Sequence, residues 1–199
     1  MNEIHKYINE INQHTENISR EKILGDILGP TFGKFLGSFV NVLLYMNRPK
    51  EILELGLGSG YVTSIIAEYA DIFSASITTV DISKEKIDRA KLALSKYSEY
   101  IDYQHIDMKD YIRNSKKTFD LIIQDSDPFS YKETLIDIAK LQIKGGVLLV
   151  HDATVVDQIY CPSDLKKVIN EFNLYLKQSH LYTTSLIDLE DGLWFCVRN

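Results

Sequence analysis

The chain has 199 residues, a formal net charge of −6 and a sequence pI near 5.4. A chain of this length can bury one sizeable core, which favours a single domain. Its acidic balance argues against a partner bound mainly through phosphates, so we expect no DNA partner. The most apolar run, FLGSFVNVLLYM, is too short to span a bilayer, and we expect no membrane partner.

Cysteine usage indicates the compartment. Only Cys161 and Cys196 occur, with no CxxC pair and no Cys/His cluster at zinc spacing. The N-terminus MNEIHKYINE also lacks the charged-then-apolar plan of a signal peptide. We therefore expect a reducing, cytoplasmic location.

The first part of the chain predicts helices. Apolar residues recur at helical spacing between Ile4 and Ile11, and FGKFLGSFVNVLLYMN repeats the pattern more strongly. We interpret residues 1–46 as a helical extension packed on a main domain of residues 47–199. The apolar stripes of this extension suit either a lid over a pocket or a contact between subunits.

After the turn NRPK, short apolar runs alternate with longer amphipathic segments. The runs predict strands at Ile52–Leu55, Ile77–Asp81, Ile101–Ile106, Phe119–Gln124 and Gly146–His151. The segments between them predict helices at Tyr61–Ala70, Ser83–Lys96, Lys109–Ser115 and Ser130–Leu141. Ser130 and Glu133 have capping-box spacing at the start of the last of these helices. Strands that alternate with helices predict a parallel sheet covered on both faces.

The C-terminal part of the chain has a different pattern. A helix is predicted from about Ser163 to Leu176, and two strand-like runs follow it, joined at Asp191-Gly192. A tight turn containing glycine between two such runs predicts a β-hairpin. The complete prediction is an α/β fold, Rossmann-like and doubly wound. It has a mostly parallel seven-stranded sheet, an antiparallel C-terminal hairpin and helices on both faces.

A glycine-rich loop follows the first predicted strand of the sheet. In EILELGLGSGY, Gly56, Gly58 and Gly60 stand at every second position, where glycine lets a ligand approach the backbone and the next helix N-terminus. The spacing lacks the last residue of GxGxxG and the Gly-Lys-Ser/Thr of a P-loop. Instead Glu54 precedes the loop, and Asp81 ends the next strand, where a carboxylate can accept bonds from ribose hydroxyls.

This acidic-x-GxGxG loop, followed by a strand that ends in Asp, resembles the class I methyltransferases that bind S-adenosylmethionine. GKFLGSFVNVLLYMNRPKEILELGLGSGY resembles the segment that leads into the cofactor loop of the catechol-type O-methyltransferases. FDLIIQDSDPFSY, IKGGVLLVHDA and DLEDGLWFCVRN resemble three further segments of that superfamily, from about residue 30 to the end.

The resemblance implies a cofactor site. It assigns the amino acid end of S-adenosylmethionine to the glycine loop, the ribose to Asp81 and the adenine to the surroundings of HIDM. The cofactor-binding residues that it implies are Glu54, Gly56, Gly58, Gly60, Tyr61, Asp81, Ile82, Asp107, Met108 and Asp125.

The predicted reaction site lies where two neighbouring strands end. Asp125 and Asp152 could hold a hard divalent ion such as Mg²⁺, which would lower the pKa of an acceptor hydroxyl. However, Ala153 stands where the family has an Asn ligand, and Pro128 stands where it has its catalytic Lys. If no metal binds, His151 is the candidate general base, since its ordinary pKa is near working pH. The predicted catalytic residues are Asp125, His151 and Asp152.

Three functions stay open at this point. The favoured one is O-methylation of a small catechol-like or polyhydroxylated acceptor, and the resemblance also implies a homodimer. The second is methylation of a modified tRNA nucleoside, which is supported by the basic residues between Lys84 and Lys91. The third is a non-catalytic module that binds S-adenosylmethionine, for which Pro128 and Ala153 speak. Tyr61 and Tyr131 are further residues near the site, and Trp194 is interpreted as a core residue.

Overall fold

The computed structural model describes residues 33–157 and 161–199. The helix predicted around Ile4–Ile11 lies outside this part of the chain, so the division into residues 1–46 and 47–199 stays a prediction. The described helices are α1 (Lys34–Asn47), α2 (Tyr61–Phe73), α3 (Lys84–Ala93), α4 (Met108–Asn114), α5 (Tyr131–Lys140) and α6 (Ser163–Gln178). The described strands are β1 (Glu51–Leu55), β2 (Ser76–Asp81), β3 (Ile101–His105), β4 (Phe119–Gln124), β5 (Gln142–His151), β6 (Tyr182–Ile187) and β7 (Leu193–Arg198).

The strands form one seven-stranded sheet in the order β3-β2-β1-β4-β5-β7-β6. β1 to β5 are parallel, while β7 is antiparallel to both β5 and β6. The predicted doubly wound sheet with an antiparallel C-terminal hairpin is therefore confirmed. The strand order reverses between β1 and β4, and ligands of open α/β sheets bind at such a point, outside the carboxyl ends of the strands.

Both faces of the sheet are covered by helices. Helices α1 and α2 pack on one face through side chains such as Leu36, Leu44 and Ile66. Helices α5 and α6 cover the other face, where Leu135 and Phe172 are buried. Burial on both faces explains why the central strands are continuous apolar runs rather than alternating ones.

The helix starts show how local sequence sets the element boundaries. Asp107 caps α4, since its Oδ1 accepts hydrogen bonds from the N–H groups of Lys109 (2.8 Å) and Asp110 (3.4 Å). The predicted capping box of α5 is wrong, because Ser130 belongs to a short 3₁₀ turn, Pro128–Ser130, and makes no side-chain cap. Such a cap needs an extended backbone, whereas Ser130 has φ −96° and ψ −12°.

Strand β5 begins earlier than predicted. The sequence predicts a strand start at Gly146, but the strand runs from Gln142. Its pairing with β4 shifts register around the glycines, where Gly145 has φ +79°. The glycines therefore mark an irregularity inside the strand rather than its beginning. None of the described helices is long and apolar enough to cross a membrane.

Candidate active site

The glycine loop between β1 and α2 is a turn of bare backbone. Gly56, Gly58 and Gly60 have φ values of +96°, +55° and +81°, in the left-handed region that favours glycine. Gly60 stands at the N-cap of α2 and makes no side-chain cap. A ligand can therefore approach both the loop backbone and the positive end of the helix.

Gly56 also brings the end of β4 against the loop. A Cβ at Gly56 would overlap the backbone carbonyl of Asp125. The N–H of Asp125 donates to the Leu55 carbonyl at 2.9 Å, and that of Gly56 donates to the Val80 carbonyl at 2.9 Å. Because Gly56 has no side chain, the predicted cofactor loop packs directly against the predicted reaction site.

Asp81 is bonded to the same loop. Its Oδ2 accepts a hydrogen bond from the N–H of Leu57 at 3.1 Å, and its Oδ1 accepts one from Ser83 at 2.7 Å. An ionised carboxylate offers about four acceptor positions, so two remain for a ligand's hydroxyl groups. The structure therefore brings Asp81 to the glycine loop, as the sequence predicted.

Glu54 lies beneath the loop and is almost completely buried, with 1% of its surface exposed. Its Oε2 accepts hydrogen bonds from the hydroxyls of Thr63 (2.7 Å) and Thr79 (2.6 Å). The pKa of Glu54 is raised to about 8, chiefly by burial. The charges of Asp125 and Asp81 add to this rise, and the two threonine hydrogen bonds oppose it. Glu54 therefore ties β1 to β2 and α2.

The residues predicted around the adenine have different surroundings. The side chain of Ile82 is 70% exposed at the end of β2, whereas Asp107 is occupied as the cap of α4. The thioether of Met108 accepts a hydrogen bond from the hydroxyl of Ser126 at 2.9 Å. Met108 thus reaches the end of β4, next to Asp125. Sequence reasoning missed Ser126, for which the only signal was its position after Asp125.

The three predicted catalytic residues form one cluster. His151 ends β5 and is 1% exposed, and its Nδ1 lies 3.0 Å from Oδ1 of Asp125 and 3.3 Å from Oδ1 of Asp152. Asp152 has φ +63°, which turns the chain sharply after the strand. The structure therefore places one imidazole nitrogen between two carboxylates.

Charges within this cluster shift its pKa values. Burial alone would lower the pKa of His151, but the carboxylates of Asp125 and Asp152 outweigh it and raise this pKa to about 9. Burial raises the pKa of Asp152, while the neighbouring imidazole opposes the rise. The two acidic side chains therefore favour the protonated form of His151.

The cluster does not fit Mg²⁺ well. Asp125, His151 and Asp152 each offer one ligand atom, and these atoms lie within 4.8 Å of one another. Mg²⁺ takes oxygen ligands in near-octahedral geometry, whereas this set includes an imidazole nitrogen, and Ala153 offers only a methyl group. The Nδ1 of His151 also stands within hydrogen-bond distance of both carboxylates. The donor set thus argues against the expected Mg²⁺ ion, which stays a prediction.

The β6–β7 turn is a part of the site that sequence reasoning did not assign. The carbonyl of Asp191 accepts a hydrogen bond from the N–H of Thr154 at 2.8 Å, and that of Gly192 accepts one from Ala153 at 3.2 Å. The charge of Asp191 also helps to raise the pKa of His151. The Asp-Gly pair signalled a hairpin, but nothing local indicated that this hairpin contacts the cluster.

Aromatic residues frame the site. The hydroxyl of Tyr131 donates to the Ser126 carbonyl at 3.2 Å, and burial raises the Tyr131 pKa well above its usual value, so this hydroxyl stays neutral. Trp194 is a buried core residue, as predicted. Its Nε1 donates to Asn173 at 2.7 Å, and Asn173 donates in turn to the Ala153 carbonyl at 2.8 Å. Trp194 therefore supports the segment after Asp152 from the core.

A doubly wound sheet with a glycine loop and an acidic residue at the end of β2 defines a Rossmann-like nucleotide-binding class. A family model described as O-methyltransferase matches residues 3–199. The chain belongs to the O-methyltransferase family and is an enzyme of the methyltransferase class. It is 24% identical over 173 residues to the protein named "Putative O-methyltransferase" in Mycobacterium ulcerans (strain Agy99), covering 82% of this chain and 76% of that protein.

Solved structures share the fold. The SAH-bound methyltransferase PaMTH1 of Podospora anserina is 18% identical with a TM-score of 0.81, covering 97% of this chain and 88% of that one. The O-methyltransferase TomG of Streptomyces achromogenes, in complex with SAM, is 16% identical with a TM-score of 0.77, covering 97% and 89%. At these identities the likeness shows a Rossmann-like methyltransferase fold.

Proposed function

We propose that this protein transfers a methyl group from S-adenosylmethionine to a hydroxyl of a small catechol-like or polyhydroxylated acceptor. The observation that carries the proposal is one juxtaposition at the switch point of the sheet. Gly56 packs against the backbone of Asp125, and Asp125 contacts His151 at 3.0 Å. Asp125 thus contacts both the loop suited to the cofactor and the imidazole of the proton-handling cluster.

The residues around the loop suit this cofactor. S-adenosylmethionine supplies, when bound, an activated methyl group on a sulfonium centre. Its ammonium and sulfonium charges suit the acidic side chains Asp81 and Asp125, which stand at the carboxyl ends of β2 and β4. The bare backbone of Gly56, Gly58 and Gly60 would hold its amino acid end, and the remaining acceptor positions of Asp81 would hold its ribose.

The cluster supplies the proton chemistry that a hydroxyl acceptor needs. A general base must be unprotonated at working pH, and His151, with its pKa raised to about 9, is protonated there. The proton-accepting role therefore passes from His151 to Asp152. Its side chain is 27% exposed, against 12% for Asp125, and burial moves its pKa toward working pH. His151 then stabilises the developing oxyanion, and Asp125 holds its ring through Nδ1.

Two measurements test this function. Calorimetry with S-adenosylhomocysteine should show binding at a single site, and a screen of phenols, sugars and vicinal diols should then release S-adenosylhomocysteine from S-adenosylmethionine. No affinity for either nucleotide would refute the proposal. Binding without turnover of any acceptor would favour the non-catalytic module.

The tRNA alternative has weaker support. Among the basic residues of α3, Lys84 pairs with Asp88, and Lys91 lies over the ring of Tyr103. Asp88 offsets the charge of Lys84 that a phosphate backbone would meet, while Lys91 keeps its charge over the ring. A homodimer and a cytoplasmic location stay predictions from the sequence and its resemblance. The described cysteines, Cys161 and Cys196, form no disulfide.

A further inference from the structure

A carboxylate from the β6–β7 turn caps the start of helix α1. Oε1 of Glu190 accepts a hydrogen bond from the N–H of Phe35 at 3.2 Å, and its Oε2 accepts one from Leu36 at 3.1 Å. The N-cap residue of this helix, Gly33, has no side chain that could do so. An acceptor at a helix N-terminus is usually a neighbour in sequence, whereas here it comes from the opposite end of the chain.

Two glycines let α1 lie close to its neighbours. A Cβ at Gly33 would overlap the carboxylate of Glu190, and a Cβ at Gly37 would overlap the hydroxyl of Tyr61. The two positions are four residues apart and therefore lie on one side of the helix start. The first turn of α1 is thus held by Glu190 at one point and by the first residue after the glycine loop at the other.

The turn that carries Glu190 is also bonded to the segment that follows Asp152. Glu190 has φ +54°, and the next two residues accept backbone hydrogen bonds from Thr154 (2.8 Å) and Ala153 (3.2 Å). A Cβ at Gly192 would overlap Thr154, so the two segments are in close contact. The segment after Asp152 and the start of α1 are therefore linked through a turn of a few residues.

We propose that Glu190 is a positioning residue that ties the first turn of α1 to the segment after Asp152, and that this turn forms a wall of the acceptor pocket. The proposal rests on the proposed function, since it assigns a wall for that acceptor. Alignment of the acceptor hydroxyl is a large part of what such an enzyme supplies, and small displacements are costly. The described hydrogen bonds of Asp81 and Glu54 do not involve Glu190, whose link to the glycine loop runs through α1 to Tyr61, so the cofactor Kd should change less than the acceptor KM.

The experiment compares Glu190→Ala, Glu190→Gln, Gly33→Ala and the double variant Gly33→Ala/Glu190→Ala. The control is Glu171→Ala, which removes an exposed carboxylate of α6 that pairs with Lys132 of α5. Three kinds of measurement are made. They are hydrogen exchange of peptides from α1 and α3, the Kd of S-adenosylhomocysteine, and steady-state kinetics (KM and kcat) with 3,4-dihydroxybenzoate as the acceptor probe.

We expect Glu190→Ala to speed exchange in α1 but not in α3. It should raise the acceptor KM at least about fivefold while the cofactor Kd changes less than about twofold. Glu190→Gln should be intermediate, because an amide oxygen still accepts a hydrogen bond but carries no charge. Gly33→Ala should resemble Glu190→Ala, since its methyl group displaces the carboxylate. It should have no further effect in the double variant, where that carboxylate is already gone.

Three results would overturn the proposal: unchanged α1 exchange in Glu190→Ala, an equal change in cofactor Kd and acceptor KM, or additive effects of Gly33→Ala and Glu190→Ala. If the wild type binds S-adenosylhomocysteine but does not turn over the probe, the choice of acceptor is wrong. The exchange data and their double-variant cycle then decide the role of Glu190. Failure of the wild type to bind the cofactor would instead refute the proposed function.

Discussion

Glu54 and Thr79 face each other across β1 and β2, with the threonine hydroxyl 2.6 Å from the glutamate Oε2. This bond and that of Thr63 keep an acidic side chain beneath the glycine loop, although burial and the neighbouring charges of Asp125 and Asp81 favour its neutral form. The site therefore contains a carboxylate whose ionisation opposes folding.

Replacing Glu54 by Gln should change how stability depends on pH. The pKa of Glu54 is about 8 in the folded state and about 4.5 in an unfolded chain. Between these values the folded protein holds a proton that the unfolded chain has lost, so this group lowers stability as pH rises. Relative to Glu54→Gln, the wild type should lose on the order of 3 kcal/mol between pH 5 and pH 8.

Urea unfolding of both proteins at several pH values measures this difference. A constant offset between them reflects the packing of the amide and does not matter, because only the change with pH reports the ionisation. If the difference in unfolding free energy did not change with pH, Glu54 would be ionised in the folded protein over this whole range, and its ionisation would not oppose folding.

Asp81 should determine cofactor affinity. Its carboxylate accepts bonds from Leu57 and Ser83 and has capacity left for a ribose diol. Asp81→Asn keeps the shape but turns one acceptor into a donor, and it should weaken S-adenosylhomocysteine binding by roughly 30-fold or more. Calorimetry checks this, with Asp88→Asn on the exposed side of α3 as the control. Equal affinities of wild type and Asp81→Asn for S-adenosylhomocysteine would show that Asp81 does not bind the ribose.

The pattern of the sheet could be predicted because burial on both faces makes its strands apolar runs, and each parallel connection needs a helix. The loop glycines and Asp81 were predictable for the same reason, since both stand where strands end. The predicted boundaries of helices and strands were wrong where local sequence signals compete. Ser130 has the composition of a cap, but the turn that begins at Pro128 gives it a helical backbone instead.

The links between distant segments could not be predicted. Glu190 contacts the N–H of Phe35, 155 residues away in sequence, and neither residue carries a local mark of this partnership. The raised pKa of His151 likewise depends on Asp125, which follows a different strand and is 26 residues away in the chain. Such properties follow from the register of the strands and the packing of turns, which a single sequence does not state.

Gly56 should be needed for packing as well as for its backbone conformation. Gly56 and Gly145 have similar φ values, +96° and +79°, so alanine strains the backbone at both. Only at Gly56 would the new methyl group overlap the Asp125 carbonyl, whereas nothing lies within 4 Å at Gly145. Gly145→Ala should cost about 1 kcal/mol, and Gly56→Ala at least about 2 kcal/mol more.

Thermal unfolding of the two variants gives these costs, and calorimetry with S-adenosylhomocysteine gives the effect on the loop. Gly56→Ala should also lose cofactor affinity, because the loop and the end of β4 must move apart, while Gly145→Ala should keep it. Equal losses of stability in both variants would mean that backbone strain alone accounts for the glycine at position 56.

Removal of metal ions should leave turnover unchanged within about twofold, because Ala153 offers no side-chain ligand and a nitrogen of His151 stands between the carboxylates. The test is activity after treatment with EDTA and gel filtration, together with metal analysis of the purified protein. Loss of activity that Mg²⁺ restores would support the metal site predicted from the sequence. Restoration by Zn²⁺ or Mn²⁺ alone would indicate a centre that includes the imidazole.

The pH profile of turnover should be bell-shaped. Asp152, the proposed base, must be unprotonated, so kcat should rise with pH through its pKa of about 6. His151 must keep its charge to stabilise the oxyanion, so kcat should fall again near pH 9, where it loses its proton. These two groups interact, and the limbs therefore belong to the cluster as a whole.

Variants assign the two limbs of that profile. His151→Gln keeps a hydrogen-bond donor near Asp125 but has no charge to lose, so its profile should lack the alkaline limb at a kcat reduced roughly 100-fold. Asp152→Asn should lose the acidic limb and most of the turnover, while S-adenosylhomocysteine still binds. If His151→Gln instead removed the acidic limb, His151 would be the base, its pKa in the working enzyme would lie below neutral pH, and Asp152 would have no part in accepting the proton.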